Sequence, residues 1–95
     1  MKKYEIMYIL RADLSEEERK AEIESLHKII TDLGGNVLSV DTDNWGLRDF
    51  AYPINDLEKG YYVVIMVEGD VKAIAEFERL AKLNNRVIRH LVIAK

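Results

Sequence analysis

The spacing of apolar residues switches repeatedly between two periods along this chain, and the order of those switches leaves few folds open. Tyr4, Ile6, Tyr8 and Leu10 alternate with Lys3, Glu5, Met7 and Ile9, the two-residue period of a strand. Ile23, Leu26, Ile30 and Leu33 then recur at three- and four-residue spacing, the stripe of an amphipathic helix. That helix opens on Ser15-Glu16-Glu17-Glu18, where the Ser15 hydroxyl is placed for the Glu18 amide and the Glu18 carboxylate for the reverse bond. Acids in a first turn also suit the helix dipole. Gly34-Gly35 supplies the positive φ that ends it. Val37, Leu38 and Val40 begin a second strand, which turns irregular through Asp41-Thr42-Asp43-Asn44-Trp45-Gly46 and resumes from Leu47 to Ile54. A loop at Asn55–Gly60 leads to the most apolar strand, Tyr61 to Glu68. Asp70 caps a second helix with Val71, Ile74, Phe77 and Ala81 or Leu80 as its buried stripe. Asn84-Asn85 breaks it, and Val87 to Ala94 forms a last strand.

The order β-α-β-β-α-β predicts an α+β fold of the ferredoxin-like kind. Two right-handed crossovers interleave into a four-stranded antiparallel sheet of order 4-1-3-2, with both helices on one face. The length of 95 residues suits a single domain, residues 1–95. Polarity then assigns the faces. Tyr61, Val63, Ile65 and Val67 are expected beneath the helices, with Tyr62, Val64, Met66 and Glu68 on the open side. In the last strand Arg89 is costly to bury, which puts Ile88, His90 and Val92 inward and Val87, Arg89, Leu91 and Ile93 outward. The open face so built holds Met7, Ile9, Tyr62, Val64, Met66, Leu91 and Ile93, ringed by Lys3, Glu5, Glu68 and Arg89. An apolar patch of that size points to a partner.

Catalytic chemistry finds little support. The chain has no cysteine, which excludes disulfides and thiolate metal sites. His27 stands mid-helix, where exposure or a helix-surface pair is expected, and His90 stands in a strand as a satisfied core or edge residue. Neither has a nucleophile or carboxylate at a spacing that makes a catalytic or metal set. Asp41 to Gly46 imitates a calcium loop, but Trp45 occupies a ligand position and Tyr52 stands where a bidentate glutamate belongs. The acids there are better read as solubilising a bulged edge strand. Lys59-Gly60-Tyr61-Tyr62-Val63 partly matches an RNA-recognition signature, yet Tyr62 replaces a small residue and Val63 a stacking aromatic. Arg11-Ala12-Asp13-Leu14 offers an arginine without the glycine-lined cradle of an acylphosphatase. No glycine-rich phosphate motif is present. No metal, cofactor or small-molecule substrate is expected.

Charge distribution carries more than its sum of −3. Residues 79–95 hold five bases and no acid, while 11–33 hold seven acids against four bases and 34–70 seven against two. Lys2 and Lys3 form a second basic cluster. One end of the chain therefore suits a polyanion. The basic start is not followed by a signal-type apolar core, and the longest apolar run, Tyr61 to Val67, is strand-sized, so no membrane association is expected and the cytoplasm is the expected compartment.

One stretch is more specific. Asp43-Asn44-Trp45-Gly46-Leu47-Arg48-Asp49-Phe50-Ala51-Tyr52-Pro53-Ile54 closely resembles a segment of the bacterial small-subunit ribosomal protein six family, above all in Ala-Tyr-Pro-Ile. Lys2 to Leu10 is similar to that family's first strand, and Lys59 to Val63 and Asn84 to Val92 to its third and fourth. The resemblance covers essentially the whole chain in order. It implies a structural, non-enzymatic protein of the small ribosomal subunit, cytoplasmic with the ribosome, that binds the central domain of small-subunit ribosomal RNA together with small-subunit ribosomal protein eighteen. Some family members carry a long acidic C-terminal tail; with the sequence ending at Lys95, no role of that kind is expected here.

On this reading Lys2, Lys3, Arg86, Arg89 and Lys95 are expected to contact phosphate, because antiparallel first and last strands bring Lys95 beside Lys2 and Lys3. Arg48 in the matched segment is a further candidate. A solvated surface charge is the alternative for each. Tyr62 and Met66 are candidates for the protein partner; Trp45, Phe50 and Tyr52 are candidates for that interface or for packing of the irregular second strand, with packing the favoured role for Tyr52-Pro53. Two other readings of the same fold stay open on residues alone: a regulatory domain that pairs through its open face, and a small enzyme.

Overall fold

The six periodic segments fold in the expected order, β1 (Lys2–Arg11), α1 (Glu16–Asp32), β2 (Asn36–Ile54), β3 (Leu57–Gly69), α2 (Val71–Leu83) and β4 (Val87–Ala94). The computed structural model describes residues 2–54 and 57–95, with backbone alone at 43–45, 50–54, 57 and 58. The strands form one sheet in the order β2-β3-β1-β4, every pair antiparallel, which is the expected topology read from its other edge.

β1 sits centrally because it is apolar on both faces and can pair on both edges. It runs against β3 without a break from Lys2↔Gly69 to Arg11↔Gly60. Its inner residues Tyr4, Ile6, Tyr8 and Leu10 meet Val63, Ile65 and Val67 of β3 under Leu26 and Ile30 of α1 and Ile74, Phe77 and Ala81 of α2. Each large apolar side chain removed from water there contributes about 1.5–3 kcal/mol.

α1 starts where its capping box places it. The Glu18 amide donates to Ser15 Oγ at 3.1 Å, and the Ser15 amide donates to Glu18 Oε1 at 3.0 Å. The Ser15 amide, then its hydroxyl, holds the Glu18 carboxyl below the usual range. α2 departs from expectation. Asp70 stands at the N-cap, but its side chain makes no capping bond, and its carbonyl accepts from Ala73 and Ile74 instead. Val71 is 64% exposed, and Ala73 takes its place in the core. The buried stripe Ala73-Ile74-Phe77-Ala81 is one face of the helix, and Val71 lies about 100° round from its centre at 3.6 residues per turn. Leu33 is also outside the core, because it has left helical geometry as the C-cap residue.

Register accounts for three further features. The irregularity expected from Asp41 to Gly46 is a register shift against β3 between those two residues, inside a 19-residue β2 that also shifts between Val37 and Ser39 and between Asp49 and Ile54. The expected loop at 55–60 is shorter: Lys59 and Gly60 pair with Asp49 and Arg48 because the hairpin continues down to Ile54↔Leu57, and Asn55 and Asp56 lie outside the described residues. In β4, a shift between Ile9↔Arg89 and Leu10↔Val87 leaves Ile88 as the extra residue. Val87 therefore packs against the core and not outward, while Ile88 is absent from the core cluster. One added residue turns every side chain beyond it to the other face.

The two glycines after α1 do different work. Gly34 has φ 86° with open space around its Cα, whereas a Cβ on Gly35 would stand 2.7 Å from Ile30 Cγ2 and 2.9 Å from the Glu68 carbonyl oxygen. Gly34→Ala is expected to cost about 1–2 kcal/mol through left-handed backbone strain, with Gly34→Asn recovering part of it. Gly35→Ala is expected to cost about 1–3 kcal/mol through overpacking, with Gly35→Asn worse still. Urea denaturation of the four variants checks this; recovery by asparagine at both sites would contradict the assignment.

Candidate nucleic-acid and partner interface

The sheet face away from the helices is a regular grid set by the strand registers. Across the strands it reads Ile93–Glu5–Met66–Ser39, then Leu91–Met7–Val64–Asp41, then Arg89–Ile9–Tyr62–Gly46. The apolar set expected from sequence is thus brought together. It is not evenly exposed. Ile9 is buried between its neighbours, Met7, Tyr62, Val64 and Met66 are half-buried, and Leu91 and Ile93 at the β4 edge are 51% and 44% exposed. Of the expected partner residues, Tyr62 and Met66 lie in this grid; Trp45 and Phe50 lie on β2, and their side chains, like those of Tyr52 and Pro53, are outside the described residues. Sequence periodicity did not flag the exposed apolar residues of β2. Leu38, Val40 and Leu47 are exposed on β2, with Val40 bordering a recess of about 380 Å³ shared with Arg19, Ile23 and Tyr61. The register breaks of β2 erase the alternation that would reveal which side those residues take.

The expected phosphate-binding cations do not form one cluster. The Lys95 amide donates to the Lys3 carbonyl at 2.9 Å, so Lys2, Lys3 and Lys95 do gather at one end of the sheet. Lys95 Nζ also lies 3.6 Å from Glu5 Oε2. Arg86 belongs to the opposite end, where the Arg11 amide donates to its carbonyl at 2.9 Å. The two ends are about 27 Å apart at the rise of a strand between Lys3 and Arg11. Arg48, paired in register with Gly60, is at Arg86's end, and Arg89 stands between the ends beside Ile9.

Arg86 has an architectural task that sequence spacing could not show. Its guanidinium contacts Glu22 Oε2 and Glu18 Oε2, both at 3.3 Å, while its amide donates to Asn84 Oδ1 at 2.9 Å. Asn84 Nδ2 donates to Glu22 as well. The α2–β4 connection is thereby tied to α1.

Several titratable groups are engaged with one another. Arg11 is turned onto Asp13 through two hydrogen bonds at 2.9 and 3.1 Å, which hold the Asp13 carboxyl low and engage this arginine. His27 is half-buried against the sheet, with Nε2 2.8 Å from the Tyr8 hydroxyl, so it is neither exposed nor in a helix-surface pair as expected from sequence. Burial lowers its pKa, and burial, then Tyr61, then Glu22 raise that of Tyr8. Tyr61, the first aromatic of the partial RNA-recognition signature, packs toward the core with the Arg19 guanidinium 4.2 Å from its ring centroid. It is not available as a stacking platform. Among the described residues no group of three His, Asp or Glu side chains is placed to hold a metal ion.

These features define a small domain of ferredoxin-like fold, with two helices on one face of its sheet and an apolar grid on the other. The chain belongs to the ribosomal protein S6 family, whose model matches residues 3–94. It is similar to the crystal structure of 30S ribosomal protein S6 from Thermotoga maritima, with a TM-score of 0.91 and 30% identity over 99% of this chain and 87% of that one. Its role is that of a structural, non-enzymatic component of the small subunit of the bacterial cytoplasmic ribosome, and its partners are ribosomal RNA and ribosomal protein.

Two measurements check the electrostatics. A histidine whose folded pKa lies below its unfolded value near 6.5 opposes folding once it must be charged, so its burial is tolerated fully above that pH and costs stability as pH falls through it. Wild type is expected to lose urea stability from pH 7.5 to 5.5, and Tyr8→Phe with His27→Leu to lose less; equal losses would remove His27 as the cause. A double-mutant cycle of Arg86→Ala and Glu22→Gln is expected to give a coupling of about 0.5–1 kcal/mol.

Proposed function

We propose that this chain binds the central domain of small-subunit ribosomal RNA jointly with small-subunit ribosomal protein eighteen. The observation that carries the reading is the division of the open face: an apolar grid centred on Met7, Val64 and Met66, with Arg89 at its β4 rim and Lys3 beyond its end. Apolar area suits a protein partner and rim cations suit phosphate. Tyr62 and Met66, with Trp45 and Phe50 on β2, are the proposed protein-facing set. Lys2, Lys3, Arg89 and Lys95, with Arg48, are the proposed phosphate-facing set. Arg86 and Lys95 contribute less strongly, because the Arg86 guanidinium already serves Glu18 and Glu22 and the Lys95 ammonium already serves Glu5.

A net charge of −3 fits a protein that docks beside a cationic partner and makes few phosphate contacts of its own. A regulatory dimer would use the same face but show no affinity for RNA.

The decisive measurement is sedimentation of native ribosomes in moderate salt. The chain is expected to travel with the small subunit, and its absence there would sink the proposal. Lys3→Ala with Arg89→Ala is expected to weaken RNA-dependent assembly without changing the thermal melt. Unchanged assembly would remove both from the phosphate-facing set.

A further inference from the structure

The cations of the described residues divide by whether the chain neutralises them itself. Arg11, Lys59, Arg79, Arg86 and Lys95 each form an ion pair with a carboxylate, Arg19 covers Tyr61, and Arg48 has an interaction of its own. Lys2, Lys3, Lys20, Lys28, Lys72, Lys82 and Arg89 have no ion pair among the described residues. Two of these, Lys82 and Arg89, line one cavity.

That cavity lies at the β4 edge, has a volume of about 330 Å³, and is lined by Ala81, Lys82, Val87, Ile88, Arg89 and His90. No carboxylate lines it. The recess beside α1, by contrast, sets Arg19 and Lys20 against Glu16 and Glu24. The β4 cavity follows from the register shift at Ile9/Leu10, which makes Ile88 an extra residue on a strand with no neighbour beyond it. The last turn of α2 supplies Lys82 from above. That turn is the negative end of the helix dipole, but the Ala81 carbonyl is capped by the Asn84 amide at 3.2 Å and Lys82 offsets what is left. Arg89 also lines the neighbouring recess of about 270 Å³ on the open face, with Met7, Ile9 and Leu91.

We propose that the β4-edge cavity is a phosphodiester-binding site for RNA, formed by Lys82, Arg89 and His90. Lys82 and Arg89 neutralise the phosphate, an imidazole N–H of His90 donates to a phosphate oxygen, and Ala81, Val87 and Ile88 form an apolar floor for the adjoining sugar. Arg89, shared by both recesses, places the RNA edge directly against the protein-binding face. This rests on the RNA-binding reading above and adds Lys82 and His90, which that reading does not include.

The test measures binding of the full chain, together with its ribosomal protein partner, to a central-domain ribosomal RNA fragment across a salt series. Lys82→Gln is expected to weaken binding at every salt and to lower the log–log salt slope by about 0.7–0.9, the loss of one phosphate contact. His90→Leu is expected to weaken binding with little change of slope. Lys72→Gln, an equal charge change on the exposed side of α2, is the control and is expected to leave the slope unmoved. If Lys82→Gln behaves as Lys72→Gln does while wild type binds, the cavity is not the site and the broader reading stands. If wild type neither binds the fragment nor sediments with small subunits, both fail. Thermal melts of Lys82→Gln and Lys72→Gln, expected to match wild type because both lysines are exposed, separate binding from folding.

Discussion

Pairing of β1 on both of its edges carries the rest of the molecule. Ten residues pair with β3 without interruption, and the same strand pairs with β4 until the shift at Ile9/Leu10. Because side chains alternate across a strand, that one element commits Ile6, Tyr8 and Leu10 to the core and Glu5, Met7 and Ile9 to the open face. The two helices then have a single apolar surface to cover, and the opposite surface is left for partners. The shift in β4 is a local exception with a distant consequence. It returns Val87 to the core, displaces Ile88, and creates the recess in which Lys82, Arg89 and His90 meet.

Charge is arranged by the same topology. Most acids of α1 face solvent, yet Glu18 and Glu22 reach Arg86 and join the start of β4 to the first helix. Contacts between residues more than sixty apart in sequence thereby hold two helices and an edge strand in one arrangement. A net charge of −3 therefore hides a division between cations that the chain neutralises itself and cations without an ion pair among the described residues.

Much of this was legible in the residues. Ser15 and Glu18 announced the start of α1 because a capping box needs only local geometry. The alternation in Tyr4 to Leu10 and in Tyr61 to Val67 assigned the core faces correctly, since these two strands pair with each other without a register shift. Arg86 and His27 were not legible. The partners of Arg86 lie on α1, and the partner of His27, Tyr8, lies on β1, so neither contact has a spacing signal. Val87 was placed on the wrong face because a single extra residue in β4 inverts the alternation without any mark in composition.

The sequence by itself determined the element order, the capping of α1, the two faces of β1 and β3, and the family, because these depend on local propensity, period and short motifs. Tertiary structure alone decided the registers of β2 and β4 and the division of cations between internal ion pairs and the β4 edge. The physical reason is range. Periodicity reports which side of its own strand or helix a residue occupies, whereas charge neutralisation and bulge placement depend on which distant strand or helix is brought alongside.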